Sequence, residues 1–118
     1  MKLWDFKIGR SSKDTYRIIL KSNPEVLKVS NQYRIDYKIS ESEEVSIDRC
    51  VINSYLKEKI KNFDEVFFDP GLNVIEIYIR DNPNIRSDIE LAVREIRNIL
   101  EEEKRKFIGI GATLEKLL

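Results

Sequence analysis

The sequence contains no histidine, and this absence removes several common chemistries. Ser-His-Asp and Cys-His nucleophile arrangements, histidine zinc sites and acid-base catalysis by imidazole all require that side chain. Cys50 is the single cysteine, so an internal disulfide is excluded and a thiolate metal site would have to form between subunits. No cofactor is therefore predicted. An enzyme is the less favoured class of protein, because no set of residues in the sequence is typical of a particular catalytic reaction.

Long apolar runs and an excess of either charge are also missing. The 21 Lys and Arg residues balance 21 Asp and Glu residues, so the whole-molecule field gives no general attraction to nucleic acid or to an anionic membrane. The sequence shows neither a leader-like segment nor an apolar run long enough to cross a bilayer. Together with the one cysteine, this predicts a cytoplasmic protein without a membrane partner.

The clearest pattern that is present is a hairpin over residues 63–80. Ile75, Ile77 and Ile79 alternate with more polar residues, which is the period of a strand with one buried face. Pro70 and Gly71 separate this strand from the preceding apolar one, and they predict a type II turn with Gly71 at positive φ.

The amino-terminal third is also rich in strand patterns. Residues 2–8 predict a first strand, with one face formed by Trp4, Phe6 and Ile8. Residues 15–21 fit either a strand or a short helix capped by Ser12, and the strand is favoured because the segment is rich in β-branched and aromatic residues. Residues 26–29 and 33–39 predict a second hairpin.

Two amphipathic helices are predicted. Ser46 is the expected cap of a helix that ends near Asn62, after a polar loop over residues 40–44. A capping box that starts at Ser87 predicts a second helix that ends near Lys104. Their expected buried residues are Ile52, Leu56, Ile60 and Phe63 for the first, and Ile89, Ala92, Val93, Ile96 and Leu100 for the second.

The order of these elements predicts an α+β fold. From Tyr33 onward it matches a ferredoxin-like antiparallel sheet with two helices on one face, closed by a last strand over residues 107–111 at the sheet edge. At 118 residues the chain fits a single domain, residues 1–118. Its predicted parts are an N-terminal strand extension (1–31), a ferredoxin-like core (32–112) and a C-terminal apolar segment (113–118).

Two candidate sites carry charged residues on strands. In a ferredoxin-like sheet, one open face would combine Phe67 with the nucleic-acid-binding candidates Arg34, Lys38, Tyr78 and Arg80. The alternative is that these charges form cross-strand pairs on a solvated face, and this is preferred.

The carboxylates Asp64, Asp69 and Glu76 lie on paired strands, as metal-binding carboxylates do in nucleases. Tyr78 stands where such sites usually have a lysine, so turn and strand-end roles are preferred and no metal site is predicted. Cys50 is interpreted as a buried core thiol.

The favoured function is a small non-enzymatic protein-interaction or assembly module. It would act through an exposed sheet edge or through the apolar carboxyl end, whose interface candidates are Leu114, Leu117 and Leu118. The partner is another protein or a second copy of the chain, and a homodimer is among the assemblies expected. Single-stranded nucleic acid, specifically RNA, on the open sheet face is the alternative.

Overall fold

The computed structural model of the protein describes residues 5–38 and 41–99. Over these residues the chain is an α+β domain with antiparallel sheets and two helices. The strands are β1 (Asp5–Ser12), β2 (Thr15–Lys21), β3 (Leu27–Val29), β4 (Arg34–Lys38), β5 (Glu44–Asp48), β6 (Phe63–Asp69) and β7 (Val74–Arg80). Helix α1 spans Arg49–Lys59, and α2 is helical from residue 85 through residue 99.

The larger sheet has four strands in the order β1-β2-β7-β6. Its register places Ile8 beside Ile18, Ile18 beside Ile77, and Ile77 beside Val66, so one row of apolar side chains crosses the whole sheet on one face. Ile18, Ile77 and Val66 are completely buried. The period-2 pattern of β7 and the choice of a strand for residues 15–21 are both confirmed.

The smaller sheet has three strands in the order β3-β4-β5. One face is apolar and buried, and its residues are Leu27, Val29, Ile35, Tyr37, Val45 and Ile47. These side chains form one cluster with the buried face of the larger sheet and with the apolar sides of α1 and α2. The two sheets therefore share a single core, and the predicted hairpin of residues 26–29 and 33–39 forms part of its wall.

The strand order differs from the predicted ferredoxin-like arrangement, in which β4 and β7 would be neighbours. β4 pairs with β3 and β5, whereas β7 pairs with β2 and β6. The cause is β2, whose buried Ile18 and Leu20 continue the apolar rows of β7 and so take the place beside it. Strands β1 and β2 extend the sheet of the β6–β7 hairpin, whereas β3, also within the predicted extension of residues 1–31, belongs to the smaller sheet.

The segment before α1 is a strand and not the predicted loop and helix start. Val45 and Ile47 are buried opposite Tyr37 and Ile35, and this pairing makes β5 the third strand of the smaller sheet. Ser46 therefore lies in β5, and α1 begins only at Arg49 with Asp48 as its N-cap residue. The helix is shorter than predicted at both ends because β5 and β6 flank it closely.

The turn between β6 and β7 is also built differently from the expectation. Gly71 does not have a positive φ; the left-handed residue is Asn73, with φ 55°. The Asp69 carboxylate accepts hydrogen bonds from the backbone N–H groups of Gly71 (2.9 Å) and Leu72 (3.2 Å), which turns the chain before Asn73 redirects it into β7. Asp69 thus has the turn role that the sequence favoured.

The predicted helix at residues 87–104 begins two residues early, at residue 85. Its expected core residues Ile89, Ala92, Val93 and Ile96 are buried. Leu100, the predicted strand at residues 107–111 and the apolar segment at 113–118 lie outside the described residues.

Candidate functional site

Strand β1 is the least covered apolar element of the larger sheet. Phe6 and Ile8 lie on the face of the sheet that forms the core, because the register places them beside Leu20 and Ile18. Leu20 and Ile18 are buried, yet Phe6 and Ile8 keep 48% and 49% of their surface exposed. Apolar side chains of this size on a core-facing surface indicate that the core is open at this edge.

The opening is a groove between β1 and α2, with a volume of about 870 Å³. Its apolar lining consists of Phe6, Ile8, Tyr16, Ile85, Ile89 and Val93. Its polar lining, all from α2, consists of Arg86, Glu90, Arg94, Arg97 and Asn98. We call this the β1–α2 groove; within residues 5–38 and 41–99 it presents an apolar surface bordered by three arginines and one glutamate.

Arg10 fixes the position of Tyr16, the one aromatic residue that β2 contributes to this groove. The Arg10 guanidinium donates to the Tyr16 hydroxyl (2.8 Å) and lies 4.6 Å from the centre of the Tyr16 ring. It also donates to the Lys13 carbonyl (2.8 Å) and pairs with Asp81 (3.3 Å). These contacts tie the β1–β2 turn to the segment that leads into α2, so one end of the groove has a defined shape.

Two other strand edges of the domain, those of β6 and β3, are occupied by side chains. At the β6 edge, the Val66 N–H donates to Asn53 (3.3 Å) and the Val66 carbonyl accepts from Arg49 (2.8 Å). At the β3 edge, the Asn73 amide contacts the backbone of Val29 and Leu27. Within the described residues, no comparable bond reaches the outer edge of β1. An open edge of this kind is able to pair with another strand.

The opposite face of the larger sheet carries the second candidate site. Phe67 is 43% exposed and meets the Tyr78 ring edge-on at 5.4 Å between ring centres. Arg49 lies 5.7 Å from the Phe67 ring centre and pairs with Glu65 (3.2 Å). This face therefore combines exposed aromatic surface with a cation.

Tyr78 is held in place on that face by its neighbours. Its hydroxyl donates to Glu76 (2.8 Å). Partial burial and this hydrogen bond to Glu76 raise the pKa of Tyr78, and Arg17 opposes the rise. Tyr78 is consequently a neutral donor near pH 7, and its ring packs perpendicular to that of Phe67.

The four predicted nucleic-acid-binding residues are divided between the two sheets. Tyr78 and Arg80 lie on β7, whereas Arg34 and Lys38 lie on β4 and face solvent on the smaller sheet. The expected single open face containing all four residues is therefore wrong, because β4 is not a neighbour of β7.

The charges on the polar face of β4 make local contacts, and their ion pair joins two residues of β4, whereas the favoured alternative was charge pairs between strands. Asp36 accepts hydrogen bonds from the Ser30 and Ser46 hydroxyls and pairs with Arg34 (3.4 Å). Partial burial opposes ionisation of Asp36, but the two hydroxyls and the charges of Arg34 and Lys28 outweigh it and lower the pKa of this carboxyl. The face is a network of local charges.

The acidic residues do not assemble into a metal site within residues 5–38 and 41–99, where no three carboxylate or thiol groups converge. Cys50 is exposed, so the expectation of a buried core thiol is wrong. The reason is the phase of α1: Ile52 and Leu56 are buried, and Cys50, two residues before Ile52, lies about 200° around the helix from it, on the outer side.

Sequence reasoning missed the groove and the side chains that occupy strand edges. Arg86, Arg94 and Arg97 are spaced by eight and three residues, which places them on one side of a helix. This spacing could have predicted the basic side of α2 from the sequence. Asn73 carried a signal as well, because asparagine after a turn tolerates the left-handed conformation. No sequence pattern predicts the role of Asn53, because its hydrogen bond to Val66 depends on which strand lies beside α1.

Comparison of the chain with protein-family models, with curated proteins and with solved structures found no match. Neither helix in the described part of the chain combines the length and the apolar character needed to cross a bilayer.

Proposed function

We propose that the protein is a non-enzymatic interaction module that binds a polypeptide along β1 and in the β1–α2 groove. The observation that supports it is the half-exposure of Phe6 and Ile8 on β1, the edge strand of the sheet that the described residues form, directly beside the groove. A strand added to such an edge gains main-chain hydrogen bonds, and alternate side chains enter the neighbouring groove for specificity.

The charges of the groove favour a particular kind of partner. Among the described residues, Arg86, Arg94 and Arg97 border its apolar surface together with one acidic residue, Glu90. A segment with apolar side chains flanked by Asp or Glu would cover Phe6 and Ile8 and pair with the arginines. Surface arginine pairs contribute mainly to specificity and to the association rate, and the covered apolar area contributes most of the affinity.

The carboxyl-terminal leucines remain part of this proposal. Leu114, Leu117 and Leu118 lie beyond the described residues, in the chain that continues from α2, one wall of the groove. Deletion of residues 113–118 is expected to weaken association without unfolding the domain, measured by sedimentation and by circular dichroism. A deletion that lowers the melting temperature and leaves association unchanged assigns these leucines to the core.

Site-specific photo-crosslinking tests the proposed surface. A benzophenone amino acid replaces Phe6 in one variant and Phe67 in a matched control, because both are half-exposed phenylalanines on edge strands but lie on opposite faces of the sheet. We expect a polypeptide adduct from position 6, its loss when Ile8→Lys is added, and little adduct from position 67. No adduct at position 6, or equal adducts at both positions, contradicts the proposal.

Single-stranded RNA binding on the opposite face is the second candidate. The exposed Phe67 ring with Arg49 beside it supports this reading, since bases stack on aromatic rings and cations hold phosphates. Against it, Arg49 is already paired with Glu65, and Glu76 adds negative charge. This face is therefore the weaker candidate.

Fluorescence anisotropy with a labelled single-stranded RNA at low salt separates the two functions. RNA binding on this face predicts loss of affinity in Phe67→Ala, retention in Phe6→Ala, and a steep decrease with added salt. Arg34→Ala and Lys38→Ala test whether the smaller sheet contributes. An absence of binding at low salt excludes RNA binding on this face and does not bear on the proposed interaction module.

A further inference from the structure

We infer that helix α1 covers the outer edge of β6 and prevents this strand from pairing with a strand of another chain. The cover consists of two side chains, Arg49 and Asn53, which lie one helical turn apart on α1 and both bind the backbone of Val66. We call these two side chains the β6 edge cover. They lie on the opposite side of the larger sheet from β1, so this role is separate from the polypeptide binding proposed for the β1–α2 groove.

The two contacts with Val66 reproduce those that a neighbouring strand would make. In an antiparallel ladder, a hydrogen-bonded residue donates its N–H and accepts at its carbonyl on the same side. Here the Val66 N–H donates to Asn53 Oδ1 (3.3 Å), and the Val66 carbonyl accepts from Arg49 Nη1 (2.8 Å). The donor and the acceptor at the middle of β6 are therefore already bound, and an incoming strand reaches them only if α1 moves away.

Arg49 is held at this edge by three successive residues of β6. Its guanidinium binds the Glu65 carboxylate (3.2 Å) as well as the Val66 carbonyl, and it lies 5.7 Å from the centre of the Phe67 ring. The backbone N–H of Arg49 donates to the Tyr33 carbonyl (2.7 Å), which ties the start of α1 to the residue that precedes β4. Because Arg49 is fixed at both its backbone and its side chain, the β6 edge cover is a built part of the folded domain.

The composition of β6 makes an exposed edge a liability. Four of its seven residues are apolar and none is proline; the apolar residues are Phe63, Val66, Phe67 and Phe68. Apolar edge strands of this length pair readily with other chains. The acidic residues of β6 repel a second copy of the strand only while their charges are unscreened. The side-chain bonds to Val66 also block the edge at high salt, so the cover supplies a protection that charge alone does not.

Replacement of both side chains tests this role. One variant combines Arg49→Ala with Asn53→Ala. The matched control combines Ser54→Ala with Lys57→Ala, which removes one polar and one basic side chain from exposed positions of the same helix. Sedimentation compares both with the unmodified chain in about 1 M salt, where the Debye length is about 3 Å. We expect only the variant without the cover to shift to higher mass as its concentration rises.

Hydrogen exchange of the Val66 amide identifies the edge that is involved. In dilute solution the variant without the cover should exchange this amide about tenfold faster than the unmodified chain, because the N–H has lost its acceptor. In concentrated solution the exchange should slow again, because a strand of another chain binds the same N–H. The Ile77 amide should stay protected at both concentrations, since β7 remains paired with β2 and β6.

A loss of stability can also cause association, and a variant of the core separates the two causes. Ile52→Val removes one buried methyl group from α1 and leaves both residues of the cover intact, so it should not associate. If the variant that lacks both side chains does not fold, Asn53→Ala alone replaces it. That variant should show the same changes at the Val66 amide, with weaker association because Arg49 still binds the carbonyl.

Concentration-dependent association together with renewed protection of the Val66 amide supports the inference. Three results overturn it. The first is a variant without the cover that associates no more than the unmodified chain. The second is equal association of Ile52→Val or of the matched control, and the third is association in which the Val66 amide stays unprotected. None of these results bears on the photo-crosslinking at position 6, which tests the proposed function by itself.

Discussion

Asn73 binds the backbone of Val29 across 44 residues of sequence: its Oδ1 accepts from the Val29 N–H at 2.7 Å. Its Nδ2 donates to the Leu27 carbonyl at 3.0 Å, so one side-chain amide occupies both a donor and an acceptor of the β3 edge. Since Asn73 also provides the left-handed residue of the β6–β7 turn, a single side chain connects the larger sheet to the smaller one.

Replacement of Asn73 should show the contribution of these bonds. Asn73→Gly keeps the left-handed backbone accessible but removes the side-chain bonds to Val29 and Leu27 and the longer one to the Ser22 carbonyl (3.4 Å), and we expect a loss of about 1–3 kcal/mol in the free energy of unfolding. Urea denaturation measures it. Leu72→Ala is the control in the same turn, because Leu72 is exposed. An Asn73→Gly variant as stable as the unmodified protein contradicts this account.

Asn53 should protect the edge of β6. Asn53→Leu leaves the Val66 N–H without its acceptor beside a fully buried side chain, and we expect a loss of about 1–3 kcal/mol in unfolding free energy. Asn53→Asp retains an acceptor oxygen and should recover most of the stability. Hydrogen exchange of the Val66 amide should accelerate in the leucine variant alone; equal exchange in both variants would show that the bond is unimportant.

Ile77 lies at the centre of the core, with no exposed surface. Ile77→Asp should not fold cooperatively, because a carboxylate would be buried among apolar residues, and Ile77→Ala should lose about 2–5 kcal/mol in unfolding free energy. Ile8, in the same row of the sheet, is the matched control: Ile8→Asp should remain folded because its side chain is half-exposed. A cooperative thermal transition for Ile77→Asp would reject the face assignment.

The pKa of Asp36 predicts a pH dependence. Because the folded state lowers this pKa, ionised Asp36 stabilises the fold above the unfolded-state pKa of about 4. That contribution should decrease as the pH falls through the lowered folded-state pKa. Urea denaturation from neutral pH to acid should show a smaller decrease for Asp36→Asn than for the exposed control Glu43→Gln. Identical pH profiles would show that Asp36 is not stabilised by its neighbours.

The sequence predicted those parts of the fold that depend on local patterns. β6, β7 and β2 follow from period-2 alternation, and the buried residues of α2 follow from helical spacing. β5 was missed because Val45 and Ile47 lie in a segment whose other residues are polar, and their pairing with β4 supplies the missing evidence. Local alternation does not specify which strands become neighbours, so the order of the sheets was not predictable in this way.

The candidate site was predictable only in part. Phe6 and Ile8 were recognised as one face of a strand, but their exposure depends on where α2 crosses the sheet. The division of Arg34 and Lys38 from Tyr78 and Arg80 likewise depends on strand order. Asn53 and Asn73 bind backbone groups that are far away in the sequence. Their partners are defined only by the tertiary structure, so local sequence patterns do not predict these bonds.

The separation of Asn73 from Val29 also has a consequence for the kinetics of folding. The β6–β7 hairpin closes through a four-residue turn and can form early, whereas contact with β3 requires ordering of the long intervening chain. The Asn73 bonds should therefore form after the rate-limiting step. Loss of these bonds would then accelerate unfolding and leave the refolding rate nearly unchanged, so Asn73 would govern how long a folded molecule persists.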